Sequence, residues 1–303
     1  MKDKTLRNYL IWAFALAWPL QALASWLALR GHAALFQGLM IVVMFAPLAA
    51  ALLAKIPLRG MGWGLPMKGR WGWYLAAWLA PVVLGALGAA LYFGLFPARF
   101  DGSGALLRAQ YGEEIMARLE AAHLTPKLLL LISFVQAVTY APFLNAIPAL
   151  GEEVGWRGAM YPRLKARFGK TAGRLLGGVI WGAWHWPVMI LAGYEYGLHY
   201  WGAPVLGMLL FCLMSAAMGT LLDLVYEKTG SIWAPSLGHG AVNAAAGLPL
   251  LLLDPAYADR LTVGPLMIGV IGGAPLLLLA LFVLLKKDAE PGKLSENTQT
   301  LLD

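Results

Sequence analysis

The sequence predicts an all-α, polytopic membrane protein of about eight transmembrane helices. Three observations carry that prediction. Of the 303 residues, 60% are hydrophobic and only 13% are charged, and the mean hydropathy is +0.66. A soluble globular domain carries about 25% charged residues, so this chain lacks the material for a water-facing shell. Apolar stretches of about 20 residues, the length that crosses a bilayer, recur along it.

The first span, Asn8 to Leu29, is too long and too rich in tryptophan for a signal-peptide core and lacks a small-residue cleavage site, so it is expected to be retained. Ala33 to Ala54 and Trp71 to Leu95 follow. The segment from Phe96 to Pro126 holds Asp101, Glu113, Glu114 and Glu120; a short amphipathic helix is expected around Ala105 to Ala122, solvated or lying on the membrane surface. Spans four to eight are Leu128 to Leu150, Leu175 to Ala192, Ala203 to Val225, Ile232 to Leu253 and Val263 to Leu285. The tail, Lys286 to Asp303, has little to bury and is expected to be disordered. The chain thus divides into N-terminal helices (1–127), a central unit (128–253), a last helix (254–285) and a tail (286–303).

The net charge of +7 would suit a nucleic-acid partner if the basic residues shared one face. They alternate by segment instead. Lys2, Lys4, Arg7, Lys55, Arg59, Lys68, Arg70, Arg157, Arg163, Lys165, Arg167, Lys170, Arg174, Lys228, Lys286, Lys287 and Lys293 fall on one side, against Arg30, Arg99, Arg108, Arg118, Lys127 and Arg260 on the other. The positive-inside rule then puts both termini in the cytoplasm, with an even number of spans and no nucleic acid. Trp63, Trp71, Trp73, Tyr194, Tyr196, Tyr200 and Trp201 fit an interfacial aromatic belt. The single cysteine, Cys212, lies in an apolar run, which excludes an intrachain disulfide and a cysteine-based metal site.

Polar residues inside the spans are unevenly placed. Spans one to three carry no acidic, basic or histidine side chain in their interiors, whereas "ALGEEVGWRGAM" ends span four, His185 lies in span five, and His239 and Asn243 lie in span seven. Charge inside a membrane is costly, so each is a site candidate. A helix continuing through "GEEVGWRG" pairs Glu153 with Arg157 at i,i+4 and leaves Glu152 the freer carboxylate. Trp181 and His185 share a face, as do His239 and Asn243. At 1.5 Å per residue His185 is roughly 15 Å deep, and the cluster opens to the cytoplasm. Pro187 cannot donate to the carbonyl of Ala183, which leaves an acceptor for water. Taken singly, the glutamates and Arg157 also fit a helix end meeting water, and the histidines and Asn243 fit interhelical glue. His32, His123 and His199 read as surface residues, and Asp223 and Glu227 as interfacial.

A carboxylate, two histidines and an amide suit amide hydrolysis by activated water. Glu152 would be the general base, His185 would orient the water, and His239 and Asn243 would donate to the oxyanion. Glu152, His185 and His239 also match a hydrolytic zinc set, although an HExxH helix is absent. Zinc is therefore an open alternative to a cofactor-free reaction.

These residues resemble the CAAX-type intramembrane endopeptidases, the CPBP (CAAX protease and bacteriocin-processing) family, in its bacterial form. Glu152, Glu153 and Arg157, with "RGAMYPRL" after them, resemble its first motif; Trp181 and His185 in "IWGAWHWPV" its second; His239 and Asn243 in "GSIWAPSLGHGAVNA" its third. The resemblance spans Leu128 to Leu253 and implies a cytoplasm-facing cavity within eight helices, with 128–253 as catalytic core. It implies catalysis by Glu152 and His185, an oxyanion site at His239 and Asn243, and support from Glu153 and Arg157. Family members are described both as glutamate proteases and as metalloproteases. Trp181 stands where phenylalanine is commonest, which is expected to alter the cavity's shape and not its chemistry. Expected partners are the bilayer and a hydrophobic or lipidated substrate. Two other classes remain open. A scaffold or bacteriocin-immunity protein would hold a peptide in the same cavity without cutting it. A proton-coupled transporter is disfavoured because the outer halves of the spans carry no acidic residue.

Overall fold

The structure is a computed structural model and describes residues 4–286; the predicted tail lies outside them, save Lys286. Among the described residues the architecture is helical, its one β-type pairing being an isolated bridge between Phe100 and Leu253. The helices run α1 (Lys4–Leu29), α2 (Ala33–Val43), α3 (Ala46–Leu53), α4 (Trp71–Leu95), α5 (Ala105–Tyr111), α6 (Glu113–Ala121), α7 (Pro126–Val138) and α8 (Ala141–Glu153). A π-helical segment, Val154–Met160, leads into α9 (Tyr161–Phe168), followed by α10 (Lys170–Trp184), α11 (Trp186–Ala192), α12 (Val205–Thr229), α13 (Trp233–Ala245) and α14 (Ala274–Leu285).

Among the described residues five stretches are long and apolar enough to cross a membrane: α1, α2 with α3, α4, α10 with α11, and α12. A sixth arises if α6 and α7, bent by 86°, count as one. Spans four, seven and eight of the eight expected are therefore not among these five stretches. Span four is split into α7 and α8 at Thr139, where φ is −100° and ψ −93°. Span seven stops at Ala245 and gives way to a short 3₁₀ turn, Leu248–Leu252. Span eight keeps only the 12 residues of α14. The breaks follow local chemistry, because Pro142, Pro249, Pro265 and Pro275 bring no N–H, and Gly264, Gly269, Gly272 and Gly273 give little helix propensity. The external helix expected at 105–122 is likewise two helices, α5 and α6, separated by Gly112 at φ +80°.

α8 packs along α13, α13 along α4, and α10 along α12, while α1 carries α2, α3 and α11. Apolar side chains such as Ile11, Leu87, Leu213 and Phe282 face outward, as a lipid-facing surface requires. At the basic end, Lys165 reaches Asp223 (2.7 Å) and Glu227 (2.9 Å), and Arg174 reaches the same two carboxylates at 2.7 and 2.9 Å. Asp223 is fully buried. It is thus a structural anion joining α9, α10 and α12, where the sequence suggested an interfacial residue. At the other end the Asp101 amide donates to the Leu252 carbonyl and the Asp254 amide to that of Arg99, both at 2.9 Å, tying the external segment to the loop after α13.

The α10–α12 contact depends on small residues. A Cβ added to Gly178 would stand 2.2 Å from Ala216 Cα, and one on Gly182 would stand 2.6 Å from Cys212 Cα. Such small faces let membrane helices gain by close van der Waals packing. Gly178→Val is expected to cost about 1–3 kcal/mol by overpacking, seen as a lower unfolding midpoint in detergent; an unchanged midpoint would contradict this contact.

Candidate active site

The three motifs converge on one cavity of about 430 Å³, lined by Glu152, Trp181, His185, His239 and Asn243 together with apolar residues of α2, α4 and α12. Glu152 and Glu153 close α8, where the backbone passes into the π segment. A sequence reading assumes a regular α-helix through "GEEVGWRG"; the backbone is instead locally widened, a distortion often found at functional sites.

The two glutamates have different partners. Glu153 Oε1 accepts from Arg157 Nη1 at 2.9 Å and lies 2.8 Å from His239 Nδ1, with all three residues buried. Glu152 Oε2 accepts from two indoles, Trp156 Nε1 at 3.0 Å and Trp181 Nε1 at 2.7 Å. Its Oε1 takes no hydrogen bond from the described residues, on a side chain that lines the cavity. Trp181 therefore touches the candidate base directly, which a phenylalanine could not do; the expectation that it alters only shape is corrected. Arg157 Cζ also lies over two aromatic rings, 4.6 Å from the centroid of Trp181 and 4.8 Å from that of Tyr161.

Hydrogen-bond partners set which tautomer each histidine adopts in its neutral form. His185 Nδ1 faces the carbonyl of Trp181 at 3.0 Å, and a carbonyl only accepts, so Nδ1 carries the proton and Nε2 keeps its lone pair. His239 Nδ1 faces the carboxylate of Glu153, with the same result. His185 itself marks the break between α10 and α11 and is packed by Trp184 at 4.8 Å, Phe211 at 5.0 Å and a parallel Tyr194 ring at 6.1 Å. Tyr194 is thus part of the site and Tyr196 is 1% exposed, whereas Trp201, at 87%, keeps the place expected of the aromatic belt. His32, His123 and His199 are exposed, as expected.

Among the described residues no three His, Cys, Asp or Glu side chains lie close enough together to hold a metal ion. Glu152, His185 and His239 line one cavity but do not form a ligand set in this geometry.

Several contributors escaped the sequence reading. The Ala183 carbonyl, expected to be free, is taken up in the cap of α10. The exposed acceptor is the next one, at Trp184, and buried Gln21 of α1 donates to it at 2.9 Å while accepting the Val188 amide at 3.4 Å. Trp184 in turn donates to the Ala13 carbonyl at 3.0 Å, and Tyr9 meets Trp156 edge-on at 6.1 Å. The first helix, legible only as an apolar span, therefore braces the site. Glu195, carried by the loop after α11, also lines the cavity.

With the geometry in place, comparison with protein families gives one match: a family model described as Type II CAAX prenyl endopeptidase Rce1-like covers residues 133–245. The chain carries a CAAX protease family domain. Comparison with curated proteins gave no match. The Rce1-like region contains every motif residue named above, and it makes the coarse activity that of a protease, in an integral membrane protein with apolar helices.

Gln21→Leu keeps most of the side-chain volume and strands two backbone groups of the Rce1-like domain. It is expected to cost about 1–3 kcal/mol and to lower activity by displacing His185. Unchanged thermal stability would show that Gln21 does not bridge the break.

Proposed function

We propose that this protein is an intramembrane endopeptidase that hydrolyses a peptide bond in a hydrophobic or lipidated substrate, prenylated CAAX termini being one such class. The observation that carries the proposal is the environment of Glu152. One carboxylate oxygen is fixed by two indoles and the other is left to a cavity shared with His185, His239 and Asn243. The basic end of the helices faces the cytoplasm on this reading, and substrate enters from that side.

Glu152 Oε1 takes a proton from water while His185 Nε2 accepts the water's second hydrogen bond and aims its lone pair at the scissile carbonyl carbon. The amide of Asn243 donates to the oxyanion. His239, whose Nδ1–H is committed to Glu153, donates to the oxyanion through Nε2 when that nitrogen carries a proton. Glu152 then passes its proton to the nitrogen as the C–N bond breaks, leaving an amine and a carboxylic acid that ionises on release. The reading requires no metal.

Purified protein in nanodiscs, offered quenched farnesylated and apolar peptides, tests this. Glu152→Gln, His185→Ala and His239→Ala are each expected to reduce kcat at least about 100-fold while the protein remains inserted. Should wild type cut no such peptide, and membrane-protein termini in cells match those with Glu152→Gln, the endopeptidase reading fails and a peptide-binding scaffold takes its place. Elemental analysis after chelation, paired with activity, decides between cofactor-free and zinc-dependent hydrolysis.

Trp181→Phe removes the indole that holds Glu152 Oε2 at 2.7 Å and keeps the aromatic bulk. It is expected to lower kcat at least about tenfold, a hydrogen bond to a charged group being worth roughly 1.5–3 kcal/mol. An unchanged kcat would show that this contact does not position the base.

A further inference from the structure

A second carboxylate, outside the three motifs, lines the same cavity. Glu195 is held at φ +71°, in the left-handed region that side-chain-bearing residues seldom adopt and that tends to persist where surrounding structure enforces it. The enforcement is visible: the Tyr194 amide bonds back to the Val188 carbonyl at 3.3 Å, and buried Tyr196 donates its hydroxyl to the Ile268 carbonyl at 2.7 Å. The Glu195 carboxylate and the Tyr194 hydroxyl are interacting neighbours. No lysine or arginine is among the described residues that line the cavity. The lining thus presents two carboxylates, Glu152 and Glu195, in largely apolar surroundings, with histidines as the only potential cations. A carboxylate in such a setting gains most from a cation supplied by whatever fills the space.

Resting on the reading that the cavity receives a peptide, we propose that Glu195 is a subsite for a cationic nitrogen of the substrate, a lysine or arginine side chain or a free amino terminus. The Tyr194 ring is 6.1 Å from that of His185. Because the carboxylate of Glu195 neighbours the Tyr194 hydroxyl, it lies within about 12 Å of His185. An extended peptide advances about 3.4 Å per residue, so the cation belongs within three residues of the bond cleaved.

The test uses the full-length protein in nanodiscs and peptides matched except for lysine or norleucine, placed in turn at the three positions on each side of the bond. Lysine at one of these positions is expected to raise kcat/KM at least about tenfold. Glu195→Gln keeps an acceptor for Tyr194 and removes the charge; it should bring the lysine peptide down to the norleucine rate. Equal cleavage of both peptides by wild type at every position, or a lysine preference that survives Glu195→Gln, overturns the subsite and leaves the endopeptidase reading standing. Binding of dodecylammonium against dodecanol, followed by intrinsic tryptophan fluorescence, gives an answer without any cleavage. The ammonium is expected to bind at least about tenfold more tightly to wild type and to lose that margin in Glu195→Gln; equal binding overturns the proposal. If no peptide is cut, the catalytic reading fails, and the alkyl probes still decide on Glu195.

Discussion

Burying Glu153 and Arg157 with no solvent exposure on either side chain is the constraint around which the rest of the site is arranged. Two charges taken out of water lose hydration that a single ion pair does not restore, and such a pair is poor evidence for stability. Here Glu153 Oε2 and Arg157 Nη2 have no hydrogen-bond partner among the described residues, which makes the cost plain. What the pair achieves is position. The carboxylate reaches across to α13 and holds His239, and the guanidinium lies against the ring of Trp181 on α10, whose indole in turn holds Glu152. Three elements that meet nowhere in sequence are thereby fixed through one salt bridge. Removing Arg157 would leave Glu153 buried with His239 as its remaining partner, and removing Glu153 would leave the guanidinium buried against the rings of Tyr161 and Trp181.

The same economy explains why the helices around the site are interrupted. A continuous α10–α11 helix would spend every backbone group on its own ladder. The break at His185 frees the ring to fold back onto the Trp181 carbonyl, and the groups released are satisfied by Gln21 from another helix. The π segment after Glu153 similarly places Trp156 and Arg157 so that each reaches the glutamate four residues before it. Irregular backbone at membrane depth is tolerated where it is enclosed by protein or lines a cavity, and both breaks meet that condition.

How much of this was legible in the sequence depends on whether a feature is local. The pairing of Glu153 with Arg157 needs only the i,i+4 geometry of one turn, and it is there at 2.9 Å. The helical class follows from composition, and the convergence of Glu152, His185, His239 and Asn243 from motif order. Gln21 could not be found the same way: a lone amide in an apolar helix acquires its role from a carbonyl 163 positions away. Glu195 was hidden because it lies outside any span, in a loop that folds back to the cavity. Trp181 was assigned by shape because an indole N–H has no meaning until a carboxylate is placed beside it. The broken spans near Thr139 and Gly264 were missed because hydropathy counts apolar residues and is blind to the missing donors of proline.

Both histidines are locked in the same tautomer by acceptors of different kinds, and that difference divides their labour. The Trp181 carbonyl is neutral, so His185 gains from it an orientation and a free Nε2 lone pair, which suits a group that handles water. The Glu153 carboxylate is anionic, so His239 gains an orientation from a charge-assisted hydrogen bond of 2.8 Å, which suits a group that must be held firmly beside developing negative charge. Arg157 shares the same oxygen, Glu153 Oε1, so a single carboxylate oxygen ties the imidazole of α13 to the guanidinium of the π segment. A buried carboxylate without the guanidinium would lack a charge partner, and its desolvation would be compensated only by the histidine. The physical use of burying an arginine beside a glutamate that already has a histidine partner is therefore to keep the anion that positions His239.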